Sequence, residues 1–229
     1  MVRLVALADS HLAHHRLQVP EGDVLVHAGD LCGWGADLEE LRPAVAWLRA
    51  LPHRHKVLVA GNHDWPFARA PAEARALLGD SVVYLEDAGA NVAGLAFWGS
   101  PWQPEFGSWA FNLPRGAPLA EKWARIPEGL DVLVTHGPPL GLGDRAALFG
   151  PPRHVGCEAL AARVKVARPL LHLWGHIHED GGLWEVDGTT FANVTVWEGE
   201  RGVTVLDVDP AARRVVPVVV PPAPVLSGD

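Results

Sequence analysis

The sequence predicts an α/β protein in which two β-sheets pack face to face with helices outside. Three observations carry this. Short apolar runs of strand length alternate with segments of helical period through the first two-thirds of the chain. The remainder reads as paired hairpins around Asp187-Gly188 and Asp209-Pro210. The chain has 229 residues, 48% of them hydrophobic and 20% charged, which is enough to bury a large core. No repeat or linker-like stretch divides it. Residues 1–220 are therefore expected to form a single domain, with 221–229 as a frayed tail.

The elements follow in order. Residues 3–8 read as a buried strand ending at Asp9, and 24–28 as a second ending at Gly29-Asp30. Asp37 and Glu40 have capping-box spacing ahead of an apolar stripe of Leu38, Leu41, Val45 and Leu48. Pro43 falls inside that helix and predicts a kink or a restart. A third strand, 56–60, ends at Gly61-Asn62-His63-Asp64. Pro71 opens and Gly79 closes a helix over 71–78. Strands are expected over 82–85 and 91–98, then a loop rich in Trp, Pro and Gly over 99–116. A helix over 118–125 precedes a strand over 132–135 that ends at His136. A helix over 156–167 stops at Arg168-Pro169, and a strand over 170–174 ends at Gly175-His176-Ile177-His178.

Composition excludes some functions. With 27 acidic and 19 basic residues the formal charge is −8, which argues against stable nucleic-acid binding. Two cysteines, Cys32 and Cys157, cannot make a disulfide framework. The apolar N-terminal run is too short for a signal segment, and prolines break the apolar stretch Val215–Val225. A cytoplasmic protein without membrane association is expected. A homodimer through the C-terminal hairpins is left open.

Acidity coexists with 12 histidines. Five polar signatures each sit where a strand ends: Asp9-Ser10-His11, Gly29-Asp30, Gly61-Asn62-His63-Asp64, Thr135-His136-Gly137 and Gly175-His176-Ile177-His178. In open α/β sheets ligands gather at the carboxyl ends of strands, so these side chains should meet at one rim. Carboxylate, amide and imidazole donors suit Mn, Fe, Zn, Ni or Co. Asp9 and His11 are two apart, as are His176 and His178, which in extended chain aims each pair to one side. The glycines at 29, 61 and 175 allow tight turns and close approach of backbone to an ion.

The ordered set resembles the calcineurin-like metallophosphoesterase superfamily. The segments Gly99-Ser100-Pro101-Trp102-Gln103-Pro104, Phe111-Asn112-Leu113-Pro114-Arg115-Gly116, Thr135-His136-Gly137-Pro138-Pro139 and His154-Val155-Gly156-Cys157 resemble its small, cap-less metallophosphoesterase-domain-containing subgroup. The resemblance implies an αββα sandwich of two mixed sheets flanked by helices, and two divalent transition metals, manganese first. It implies Asp9, His11, Asp30 and His178 on one metal, and Asp30, Asn62, His136 and His176 on the other, with Asp30 bridging. His63 would be a general acid over the site, and Asp64 would either orient it or be a plain surface carboxylate. The implied chemistry is metal-activated hydroxide attacking phosphorus in line, in a phosphodiesterase acting on small, cyclic nucleotides. Two alternatives remain. One is a non-catalytic metal-binding scaffold, although such a protein would be expected to have lost a ligand or the acid histidine. The other is a nuclease, which would want a basic groove that this chain lacks.

Other residues have blander readings beside the functional ones. His154 and Arg115 are expected to contact substrate, with loop and surface roles as the alternative, and Arg145 is a further anion-binding candidate. His27 and His172 read as core or supporting histidines, and His53 and His55 as solvated. Trp102, Phe106, Trp109 and Phe111 either form a wall that stacks on a base or pin their loop to the core.

Overall fold

The apolar runs form strands because residues pointing to both faces are buried, as in a sheet covered on both sides. The computed structural model describes residues 1–34, 37–147 and 151–222. The first strands are β1 (Val2–Leu7), β2 (Val24–His27), β3 (His55–Leu58) and β4 (Val83–Tyr84). Next come β5 (Ala88–Val92), β6 (Leu95–Ser100), the short β7 (Gln103–Pro104) and β8 (Asn112–Leu113), and β9 (Val132–Thr135). The short β10 (Arg145–Ala146) and β11 (Arg153–His154) lead to β12 (Leu171–Trp174). The chain closes with β13 (Gly182–Val186), β14 (Thr189–Asn193), β15 (Thr204–Asp209) and β16 (Arg214–Val219). The helices are α1 (Leu38–Ala50), α2 (Trp65–Arg69), α3 (Pro71–Leu78), α4 (Ala117–Trp123) and α5 (Glu158–Ala167).

Two six-stranded sheets result, ordered β16-β15-β1-β2-β3-β4 and β13-β14-β12-β9-β6-β5. β1 to β4 run parallel, as do β6, β9, β12 and β14, while β15, β16, β5 and β13 pair antiparallel. The period of two sorts side chains between layers. Leu4, Ala6, Val24, Val26 and Val57 of the first sheet meet Phe97, Val132, Val134, Leu171 and Leu173 of the second. Val5, Leu25 and Leu58 face outward onto Leu41, Val45 and Leu48 of α1 and Leu78 of α3. Leu133, Trp174 and Phe191 face Leu119 and Trp123 of α4 and Leu160 and Val164 of α5. This is the expected αββα sandwich.

Several elements differ from expectation. The strand foreseen over 91–98 is a hairpin, because Ala93 and Gly94 both take positive φ (52° and 82°) and turn the chain between β5 and β6. α1 does not restart at Pro43, which sits on the exposed face; the helix runs through it at the loss of one bond to the Glu39 carbonyl. Asp37 caps α1 by accepting from Glu40 N, but the Glu40 carboxylate accepts from Gly33 N instead of completing the box. The last helix starts at Glu158, with Cys157 Sγ accepting from Leu160 N. Asp187 and Gly188 turn the first closing hairpin with φ of 52° and 79°. Of the expected tail, Pro221 and Pro222 offer carbonyls to the Arg201 guanidinium, and residues 223–229 lie outside the described residues. No helix among the described residues is long and apolar enough to cross a membrane.

Candidate metal centre

The carboxyl ends of β1, β2, β3, β9 and β12 deliver the polar signatures to one rim. The backbone there is not extended. Asp9, His11, Asp30 and His176 all have left-handed φ, at 57°, 40°, 60° and 69°. The pairs Asp9/His11 and His176/His178 therefore converge by turning just past the strand, not by the two-residue alternation of a strand. Left-handed backbone costs a non-glycine residue about 1–2 kcal/mol, and such outliers gather at functional sites.

The side chains come together. Asp9, His11 and His178 have donor atoms within 4.8 Å of one another, as do Asp30, His136 and His176, and also His11, Asp30 and His63. Asn62 Oδ1 lies 2.9 Å from His136 Nε2. Asp30 Oδ2 lies 3.3 Å from His136 Nε2 and 3.8 Å from His11 Nε2. All seven residues expected as metal ligands thus share one site with His63.

The hydrogen bonds decide which atoms face inward. His11 Nδ1 donates to the Cys32 carbonyl at 3.0 Å, and His136 Nδ1 to the Ala28 carbonyl at 2.9 Å. A carbonyl only accepts, so each Nδ1 carries hydrogen, and in the neutral ring each Nε2 presents a lone pair to the cluster. Those nitrogens face other polar atoms of the cluster: His178 Nε2 lies 3.3 Å from His11 Nε2, and Asn62 and Asp30 oxygens surround His136 Nε2. Buried carboxylate, amide and imidazole atoms gathered this closely need positive charge among them, a proton or a metal cation. Carboxylate oxygen, amide oxygen and imidazole nitrogen are a donor set that divalent transition metals fit.

The electrostatics show the cluster drawing positive charge to itself. Burial pushes up the Asp9 and Asp30 carboxyls, but His178 for Asp9 and His136 for Asp30 more than offset it, so both stay below the usual range. Burial lowers His136, yet Asp30 overrides it and raises the ring to about 9. Burial, reinforced by His136, lowers His176 to about 3 and leaves it neutral.

The loops are braced from beneath. The Asp64 carboxylate is wholly buried and accepts from Asp30 N at 2.9 Å, Gly61 N at 2.8 Å and Cys32 N at 2.9 Å. It is therefore neither a surface carboxylate nor the orienting partner of His63, whose Nδ1 turns to the Gly33 carbonyl. The physical reason is that both oxygens are occupied by amides of the two ligand loops. Asp9 accepts from His176 N at 3.0 Å, which ties the two sheets together at the site. His27 bonds Ser10 Oγ at 3.1 Å and His172 bonds Thr135 Oγ1 at 2.9 Å, one buried imidazole behind each sheet's ligand loop.

Two glycines are close-approach positions, although what approaches is a ligand carboxylate and not an ion. A Cβ at Gly61 would overlap Asp30 Oδ1, and one at Gly175 would sit 2.5 Å from Asp9 Oδ2. Gly61→Ala is expected to push the Asp30 carboxylate aside, with a stability loss of about 1–3 kcal/mol in urea titration. An unchanged midpoint would contradict that packing.

The expected substrate contacts are placed differently. The Arg115 guanidinium is engaged by the Gly156 and Val155 carbonyls and by Glu158 at 2.7 Å, so it braces the segment before α5 and does not present a free anion-binding fork. His154 has a half-exposed ring, with Nδ1 2.5 Å from the buried Asp144 carboxylate. Arg145 pairs with His154 in the β10–β11 hairpin, and its N–H donates to Asp180 beside the His178 turn. His53, read as solvated, is buried and bonds the Pro20 carbonyl at 2.9 Å.

Of the loop aromatics, Trp102 and Phe111 are pinned: Trp102 donates to Asp87 and packs edge-on against Phe111. Trp109 and Phe106 turn to the site, over His63 and His176. Sequence reasoning missed Trp34, whose ring also reaches His63. Its signal was a large aromatic after Gly33 in the loop that follows Asp30.

Comparisons with known proteins bear on this site. The family model described as calcineurin-like phosphoesterase matches residues 3–180. Human metallophosphoesterase domain-containing protein 1 is 39% identical over 220 residues, covering 85% of this chain and 66% of its own. The chain thus spans just under two-thirds of that relative's length. UPF0046 protein K07C11.7 of Caenorhabditis elegans is 36% identical, covering 84% of this chain and 69% of its own. Among solved structures, TT1561 of Thermus thermophilus matches with a TM-score of 0.65 at 15% identity, over 96% of this chain and 99% of that one. Phosphopantetheinyl hydrolase from Mycobacterium tuberculosis matches with a TM-score of 0.56 at 21% identity, over 84% and 88%. At those identities the two structures speak for the fold alone.

Proposed function

The chain belongs to the calcineurin-like phosphoesterase family, and we propose that it is a dinuclear metal-dependent phosphodiesterase acting on small nucleotides, cyclic ones first. One observation carries the reading. The buried Asp30 carboxylate stands between two groups of inward-facing donors, Asp9–His11–His178 and His136–His176 with Asn62.

In this reading Asp9, His11, Asp30 and His178 hold one cation, and Asp30, Asn62, His136 and His176 the other. Bound there, two divalent metals would supply Lewis acidity, activating water and neutralising charge on the phosphoryl oxygens. The protein's own groups do the rest. The carbonyls of Cys32 and Ala28 hold the His11 and His136 rings in register. His63, anchored by its N–H on Asp30 Oδ1 and by its ring on Gly33, keeps one ring nitrogen free for proton transfer. As the oxygen of water bonds to phosphorus and its proton passes to solvent, the bond from phosphorus to the leaving alcohol's oxygen breaks and His63 gives its ring proton to that leaving oxygen. The diester and cyclic preference is drawn from resemblance to the cap-less subgroup. Manganese is favoured over Fe, Zn, Ni and Co in the same way.

The test is hydrolysis of bis-p-nitrophenyl phosphate by metal-loaded protein. Turnover is expected with added Mn²⁺, abolished by chelator and restored by metal. His63→Ala should retain bound metal and lose about 10²–10⁴ in rate. No turnover with Mn, Ni, Co or Zn would overturn the proposal.

A further inference from the structure

Three aromatic rings border the site on the side of His63. Trp109 lies over the His63 ring with centroids 4.2 Å apart and planes at 31°. Trp34 meets His63 edge-on at 5.4 Å and Trp109 at 5.4 Å. Phe106 continues the row, 6.4 Å from Trp109 and 5.1 Å from the His176 ring. The loop that carries Phe106 and Trp109 is tied to a ligand loop, since Ala110 N donates to the Asn62 carbonyl at 3.1 Å, and is closed on itself by Asn112 Nδ2 donating to the Phe106 carbonyl at 2.9 Å.

Both ends of the row face water. Trp34 is 83% exposed and Phe106 38%. An indole left that open gains almost nothing from burial, so folding does not account for it, and exposed aromatics beside a site mark binding surfaces. Nor does the metal cluster use it, because an indole offers no donor atom to a cation centre of oxygen and nitrogen ligands.

We propose that Trp34, with Trp109 and Phe106, forms a stacking subsite for the planar base carried by the leaving group. The inference rests on the proposed function. If His63 protonates the leaving oxygen, the leaving alcohol must lie against His63, and Trp109 and Trp34 are the rings that border it there. The row of three rings is longer than a single phenyl group, and stacking tolerates any flat heteroaromatic face. Trp34 is the specificity-determining residue because it is the freest of the three.

The test compares adenosine 2′,3′-cyclic phosphate with the 1-O-methylribose 2′,3′-cyclic phosphate that lacks a base. In Trp34→Ala the ratio of kcat/KM for the two is expected to fall about tenfold, and Trp34→Phe should regain most of it. An unchanged ratio overturns the subsite, as does an equal loss on both esters. A matching loss on methyl p-nitrophenyl phosphate would mean that the wall reads any flat ring; a loss on the nucleotide alone would mean that it reads a base. Calorimetry with adenosine 5′-monophosphate separates this proposal from the functional one. If the wild type hydrolyses no ester, the function fails, yet Trp34→Ala must still weaken that nucleotide about tenfold. Equal affinities in wild type and variant overturn the stacking subsite whatever the turnover.

Discussion

Asp30→Asn is expected to lower kcat/KM for a phosphodiester about 10³-fold, while the protein stays folded. Asp30 is the one carboxylate common to two of the described donor groups, with Oδ2 between His136 and His11. Oδ1 has a separate duty, accepting the His63 amide at 2.8 Å. Asparagine keeps an oxygen for that amide and keeps the shape. It loses the charge, and it can offer only one oxygen where two are used. A metal-bridging carboxylate stands for several kcal/mol of transition-state stabilisation, and about 4 kcal/mol is a thousandfold in rate. Asp9→Asn touches one donor group and should cost less. Steady-state kinetics under matched metal concentrations would check the order. A fully active Asp30→Asn protein would show that the site has been misassigned.

Asp64→Ala is expected to be the most destabilising single change near the site. The carboxylate is fully buried and closes three backbone amides, those of Asp30, Cys32 and Gly61. Truncation leaves all three without an acceptor in a place where water is excluded. Each buried, unsatisfied amide costs about 1–3 kcal/mol, so the expected loss for three is about 3–9 kcal/mol. For a domain of ordinary stability that is a large fraction, and it corresponds to a fall in Tm of at least about 6 °C. Asp64→Asn should fall between wild type and alanine, because an amide NH₂ would face one of the N–H groups. Urea titration measures the loss directly. A loss under about 1 kcal/mol would contradict the bracing of the three amides by Asp64.

The difference between Asp30 and Asp64 shows what a sequence can disclose. Both are aspartates just past a strand. Strand ends are legible because apolar runs stop abruptly at polar residues, and parallel strands bring those ends to one rim. That logic gathered Asp9, His11, Asp30, Asn62, His136, His176 and His178, together with His63. It could not tell a carboxylate facing the cluster from one facing backward into the loops, since that depends on where three separate amides meet. The left-handed backbone at Asp9, His11, Asp30 and His176 was hidden for a similar reason. Residue type sets only a weak preference for φ, and the fold overrides it.

Long polar side chains were the least legible. Arg115 looked free because nothing nearby in sequence binds it, yet Glu158 and the 155–156 carbonyls do so across about forty residues of chain. His154 is turned by Asp144, a residue whose burial no local pattern announces. The Ala93–Gly94 turn was overlooked because alanine rarely takes positive φ, so the glycine alone had to signal it. By contrast, Asp187-Gly188 declared its hairpin outright, since both residue types suit that turn.

The central claim is that two cations share this rim with Asp30 between them. Anomalous diffraction from a crystal soaked in Mn²⁺ tests it most directly. The expected map holds two peaks about 3.5–4 Å apart. One should be ringed by Asp9, His11 and His178 and the other by Asn62, His136 and His176, with the Asp30 carboxylate touching both. A single peak, no peak, or two peaks with Asp30 outside them would contradict the account.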